Sequence, residues 1–302
     1  MKLHVITLPY NVHGKGRGGA SGPAALLDAG LLDGLAETGF TVAGVTDVAL
    51  TAEEEEQYGG WNRVALGNAH LCQAVSGVAE DEASFILGLL ADCNGVLGVL
   101  GGLQQAEDPR RPKRVGLVYV DAHGDYNTPE TSPSGMLGGM PVAVAAGKAL
   151  TNLRLASGIK VPLQSPDIIL AGMRDLDPPE RKMIEDDGLV IIREHDMIEE
   201  STAFHEAMEY LSDREDVIYV HVDLDILDPA VAPAAGLPSP GGLTGEQLGK
   251  ALAAMLRYPK VRALACVSYN SDADRTGQTM EEVSKAIKMG LEALRGREAA
   301  SL

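Results

Sequence analysis

The chain has 302 residues, 45% hydrophobic and 23% charged, a balance ordinary for a globular protein, and a length that allows one large domain or two smaller ones. Its formal net charge of −18 repels phosphate backbones and anionic lipid, which argues against nucleic-acid or membrane-surface binding. The opening MKLHVITLPY has too short an apolar core for a secretory signal, and no later apolar run approaches membrane-spanning length.

Taken in chain order, short apolar and β-branched runs alternate with longer stretches of helical period. The runs at 3–8, 40–45, 95–100, 115–120, 167–171, 188–193, 217–224 and 261–267 predict strands. The segments 22–37, 64–92, 138–149, 197–213, 244–257 and 278–295 predict helices. Pro23 and the Thr244/Gln247 capping box mark two of their starts. With 3 Phe, 8 Tyr and 1 Trp, the core is built from Leu, Val, Ile and Ala. The near-continuous apolar character of the central runs implies cover on both faces, hence a single α/β domain over 1–302 with a mostly parallel sheet. Cys72, Cys93 and Cys266 are far apart without C-x-x-C spacing and read as reduced core residues of a cytoplasmic protein. The loops 126–137 and 228–243, rich in Pro, Gly, Ser and Thr, follow strands and are expected to surround a ligand site at the strands' carboxyl ends.

Three motifs carry possible chemistry. GKGRGG at 14–19 matches G-x-G-x-x-G formally, but it stands too far from both strand and helix for a dinucleotide fingerprint and reads as a flexible loop. Asp121, His123 and Asp125 alternate at the end of an apolar run, so an extended chain points them to one side. Two carboxylates and an imidazole suit a divalent ion such as Mn, Fe, Ni or Zn; the bland alternative is a polar strand end with a solvated His. His221, Asp223 and Asp225 repeat the pattern at the end of IYVHVDLDIL. Four carboxylates gathered at two strand ends repel one another, and two divalent cations are the natural remedy.

The paired runs DAHGDYNTPETSPSG and HVDLDILDPAVAPAAGLPSPGGLT resemble the metal-binding segments of the ureohydrolase superfamily of arginase, agmatinase and formiminoglutamase. GRGGASGPAALLDAGLLDGL, GNAHLCQAV and AGMRDLDPPE extend the likeness along most of the chain. The resemblance implies a three-layer α/β/α sandwich with a mainly parallel eight-stranded sheet. It also implies a manganese pair that activates water for attack on an amidine carbon. By the same resemblance Asp121 and Asp223 bridge the metals, His123 and Asp225 complete one, and Asp125 binds the other and accepts the water's proton. Asn127, Ser134 and Asp177 fall where an amino-acid substrate is held. A homo-oligomer, trimer or hexamer, is implied as well.

Three positions depart from the family pattern. The run 95–100 should lead into Gly-Gly-Asp-His, but Gly101-Gly102-Leu103-Gln104 follows, leaving the amide of Gln104 as a substitute ligand. The family's Ser-Gly-Asn-x-His-Gly becomes Ser134-Gly135-Met136-Leu137-Gly138-Gly139, without its histidine. Glu-x-Asn becomes Ser268-Tyr269-Asn270, which removes the acid that pairs with a guanidinium. His221 is a candidate to compensate at the depleted metal; the alternative is a supporting role, hydrogen-bonded to Asp125 or a neighbour. The expectation is therefore a metal-dependent hydrolase with one or two divalent ions, cleaving a linear amidine-like C–N bond of an amino-acid-like small molecule with altered specificity. The rival is a non-catalytic subunit in a hetero-oligomer with an active homologue.

Overall fold

The structure, a computed structural model, describes residues 2–37 and 39–299, apart from the side chains of 298 and 299. Eight parallel strands form the main sheet: β1 (Lys2–Leu8), β2 (Thr41–Asp47), β3 (Ser84–Leu90), β4 (Val115–Val120), β5 (Ile168–Ala171), β6 (Val190–Ile192), β7 (Val217–Asp223) and β8 (Val261–Val267). Their spatial order is β2-β1-β3-β8-β7-β4-β5-β6. The central strands β3, β4 and β7 are buried at every residue, as their unbroken apolar runs require of a sheet covered on both faces. The edge strand β2 is mostly exposed and correspondingly polar.

Seven principal helices complete the layers: α1 (Gly22–Asp28), α2 (Gly60–Ala79), α3 (Val96–Gln105), α4 (Pro178–Asp187), α5 (Thr202–Arg214), α6 (Gly245–Leu256) and α7 (Gln278–Ala299). One face of the sheet packs Leu26, Phe204, Leu211, Leu252 and Ile287 from α1, α5, α6 and α7. The other packs Leu71, Val75, Leu97, Leu100 and Ile184 from α2, α3 and α4. The result is the three-layer α/β/α sandwich expected. The Thr244/Gln247 capping box starts α6 as predicted, with Thr244 Oγ1 accepting from Gln247 N at 3.2 Å.

The predicted elements fail most clearly in one region, and α4 (Pro178–Asp187) lies outside every helix segment named from the sequence. The helix expected over 64–92 is α2 followed by β3, and the strand expected over 95–100 is the start of α3. Both SFILGLL and GVLGVL are apolar throughout because both are buried on all sides, and a short run of that kind carries no period to separate strand from helix. Gly101 and Gly102 are packing glycines in α3. A Cβ on Gly102 would come within 2.5 Å of Val75 Cβ on α2, so the glycine lets the two helices press together.

The strand order places the site. The chain leaves β3, passes over two strand positions and resumes in β4; β7 and β8 later fill the gap. The carboxyl ends of β3, β8, β7 and β4 therefore stand side by side where the connections diverge, the position at which open parallel sheets bind ligands.

Candidate metal centre

Each of these strand ends supplies polar side chains. β4 ends into Asp121, His123 and Asp125; β7 ends in Asp223 and turns into Asp225. β3 ends into Ala91-Asp92-Cys93, and β8 into Ser268. The Asp92 carboxylate accepts from the Asn94 backbone N at 3.0 Å and so caps the short turn that carries Cys93.

The ligand-type atoms fall into two overlapping groups: Cys93, Asp121 and Asp125, and Asp121, His123 and Asp225. Within each group they all lie within 4.8 Å of one another. Asp223 joins the two. Its Oδ2 accepts from Cys93 Sγ at 2.6 Å and from Ser268 Oγ at 2.7 Å, and its Oδ1 from Asp225 N at 2.9 Å. His123 Nδ1 is 3.3 Å from both Asp121 Oδ1 and Asp225 Oδ2. Asp121, Asp125, Asp223 and Asp225 are all buried, none more than 5% exposed. A loop closes over the cluster at Gly236, where a Cβ would lie 2.7 Å from Asp225 Oδ2 and the backbone has φ +39.

Electrostatics state what such a cluster needs. Burial, then the neighbouring carboxylates, push Asp121 well above the carboxylate range; burial likewise raises Asp125. Burial and Asp225 lift Asp223 to about 7. Burial and then Asp223 raise the Cys93 thiol well above its ordinary value, which makes it a donor to that carboxylate. Burial pulls His123 down, but hydrogen bonds to Asp121 and Asp225 outweigh it and raise the imidazole to about 11. Ionised together, these carboxylates need compensating positive charge. Four carboxylates, an imidazole and a thiol in two overlapping sets fit a pair of divalent cations, one on the Cys93 side and one on the His123 side.

The cluster opens into a cleft of about 430 Å³ that also presents His13, Asp92, Ser134, Met136, Asp177 and Leu237. Asp177 precedes α4 and accepts from Asn127 Nδ2 at 3.1 Å; Asn127 Oδ1 in turn accepts from Thr131 Oγ1 at 2.9 Å. Asn127 thus stands behind Asp177, and Asp177 and Ser134 face the cleft. Ser268 lines the cleft too, but its hydroxyl is committed to Asp223 and its backbone lies in the left-handed region at φ +69.

Two predicted placements are corrected. Gln104 lies near the far end of α3, and both ends of its amide are committed there: its Nε2 donates to Val161 O at 2.7 Å and its Oε1 accepts from Lys160 N at 3.1 Å. Reading 95–100 as a strand is what places Gln104 at the site; as part of α3 it points elsewhere. Cys93 occupies the place expected for the family's histidine, since Leu90-Ala91-Asp92-Cys93 begins on the last residue of β3 and stands where Gly-Gly-Asp-His is expected. The available signal was an Asp followed by a ligand-type residue directly after an apolar run. His221 is neither at a metal position nor bonded to Asp125. It does share a face with Asp223, but two residues along a strand place it about 6.6 Å deeper in the sheet. Its Nδ1 pairs with Tyr219 Oη at 2.7 Å, and burial lowers it to about 3. His13, which no sequence motif singles out, reaches the cleft on the turn between the paired segments Tyr10–Asn11 and Gly14–Lys15. Gly14–Gly19 leads from that turn along the cleft wall, with Gly19 against the Ala91 backbone.

Fold and cluster together define a class, and the chain belongs to the arginase family, whose profile matches residues 1–291. Among its relatives it is 32% identical over 293 residues to the arginase of Bacillus subtilis (strain 168), an alignment covering 94% of this chain and 97% of that one. It is 30% identical to the arginase of Bacillus caldovelox, covering 92% and 93%. The crystal structure of arginase from Bacillus subtilis superimposes with a TM-score of 0.82 at 30% identity, over 96% of this chain and 98% of that chain. Formimidoylglutamase from the same species shares the fold, with a TM-score of 0.72 at 15% identity over 97% and 87% of the two chains. Among the described residues no helix is long and apolar enough to cross a membrane.

Proposed function

We propose that this chain is a metal-dependent hydrolase that cleaves a linear amidine- or guanidine-type C–N bond in an amino-acid-like substrate, with a preference shifted away from a charged guanidinium. The observation that carries this reading is the cluster of Cys93, Asp121, His123, Asp125, Asp223 and Asp225, buried except for the partly exposed His123, that lines the cleft. These residues would hold two divalent ions, which when bound would supply a water activated for attack at neutral pH. The carboxylate-rich His123 side suits manganese, and a Cys93 thiolate suits a softer ion such as cobalt or zinc. Asp125 accepts the proton that the attacking water gives up. Asp177 and Ser134 face the cleft and orient the α-amino and α-carboxylate ends, with Asn127 holding Asp177.

The shift in preference is read from what the cleft lacks at its reacting end. Ser268, tied to Asp223, offers no second carboxylate to a guanidinium, and Gly138 offers no imidazole. A hydroxyguanidine, a weaker base than a guanidine, needs no charged partner there. Metal analysis followed by product release from arginine, Nω-hydroxyarginine, agmatine and formiminoglutamate tests the proposal. Two ions per chain are expected, with kcat/KM for hydroxyarginine at least about tenfold above arginine, equivalent to about 1.4 kcal/mol in the transition state. A metal-loaded protein inert toward all four supports instead a non-catalytic subunit, a reading that draws on the same departures at Gly138 and Ser268.

A further inference from the structure

We infer that Tyr119 is a positioning residue that fixes the Asp125 carboxylate for the Cys93-side metal, an inference that rests on the metal-centre reading above. Tyr119 stands on β4 directly beside His221 on β7, its register partner in the parallel pair. The two rings stack with centroids 4.8 Å apart and planes 5° from parallel, and Tyr219 meets His221 edge-on at 5.7 Å. All three rings are fully buried. At the top of this column the Tyr119 hydroxyl donates to Asp125 Oδ2.

Three features separate this arrangement from ordinary core packing. The phenol's described partner is a carboxylate of the cluster rather than a backbone group, so its oxygen serves the site. Asp125 is held in the left-handed region at φ +46, and its carbonyl accepts from Val142 N at 3.0 Å, so its backbone is fixed from outside the strand and its side chain from beneath. The column also retains a histidine whose Nε2 has no partner among the described residues, a cost that an apolar ring of similar size would avoid. His221 thus enters the chemistry only by placing the Tyr119 ring. With Oδ2 held by the phenol, the orientation of the carboxylate toward a cation is set, and a hydrogen bond of this supporting kind typically governs metal affinity by 10–100-fold.

Tyr119→Phe removes a single oxygen and keeps the stack. Cobalt(II) titrated into metal-free protein is the probe, because a thiolate-to-cobalt charge-transfer band reports the Cys93 side by itself. In wild-type protein two ions bind and the band develops. In Tyr119→Phe the ion that produces the band is expected to bind at least about tenfold more weakly. The other ion and the circular dichroism of the metal-free protein stay as in wild type. Tyr219→Phe deletes a hydroxyl from the same column without touching Asp125 and is expected to titrate as wild type. A wild-type titration of Tyr119→Phe overturns the inference, as does an equal weakening of both ions or an equal effect of Tyr219→Phe, which points to general packing. A wild-type protein that takes up no cobalt overturns the metal-centre reading beneath it.

Discussion

The two halves of the site stand on the same sheet and differ in how far they follow the family pattern. The half built on β4 and β7 holds Asp121, His123, Asp125, Asp223 and Asp225, every one of them a residue type that the arginase resemblance predicts. The half built on β3 and β8 holds Cys93 where an imidazole was expected and Ser268 where an acid was expected. Both halves end on buried parallel strands at the same level, so the difference lies in single side chains at strand tips. Charge explains why the first half admits so little change: its carboxylates are buried together, and altering one unbalances the rest. The β3 and β8 tips carry donors that line the cleft, where, on the function proposed above, a change of residue shifts metal preference and substrate choice.

The comparison breaks most sharply at Asp223, which touches donors on both sides of the cluster. Asp223→Asn removes a charge shared by both metal sets and is expected to leave less than one tightly bound ion per chain. Turnover should fall by about a thousandfold or more, and both are read from metal content and initial rates. A smaller change sharpens it: Cys93→His replaces a soft donor by a borderline one. That variant should raise manganese affinity relative to cobalt by about tenfold in competitive titration, with the fold unchanged by circular dichroism. A third effect is on pH. Each ion displaces protons from its ligands, so apparent metal affinity should climb with pH through about 7, the value to which burial and Asp225 lift Asp223, and keep climbing above it while His123, raised to about 11, and the raised Cys93 thiol give up theirs. An affinity independent of pH over that range contradicts it. The smallest effect on the site comes from Gln104→Ala. The variant should keep full metal content, but it leaves Lys160 N and Val161 O without their partner and lowers stability by about 1–3 kcal/mol in urea unfolding.

The same division governs what could be read from the amino-acid sequence. The β4 and β7 motifs are legible because alternation of Asp and His at the end of an apolar run is a local pattern with one extended-chain meaning. Seven of the eight strands coincide with predicted ones because they fall on short apolar, largely β-branched runs. The β3 tip was not legible. SFILGLL was absorbed into a long helix, GVLGVL took its place as a strand, and the displaced register put Gln104 in the site and left Cys93 among core cysteines. Burial on all sides erases the periodicity that separates strand from helix, and only the sheet order restores it. His221 failed differently: its face was right and its depth was not, because alternation fixes side and says nothing of level. The pairing of Tyr119 with Asp125 depends on side-chain reach across a bent strand end, for which no sequence pattern exists.

Central to the account is that Cys93 completes a two-metal centre. Cobalt(II) titration of wild-type protein and Cys93→Ser, followed by absorption and by metal content, tests it most directly. The account predicts two ions per wild-type chain with a thiolate charge-transfer band that Cys93→Ser abolishes, while the His123-side ion remains. A wild-type protein that binds no divalent ion, or binds two with no thiolate band, contradicts it.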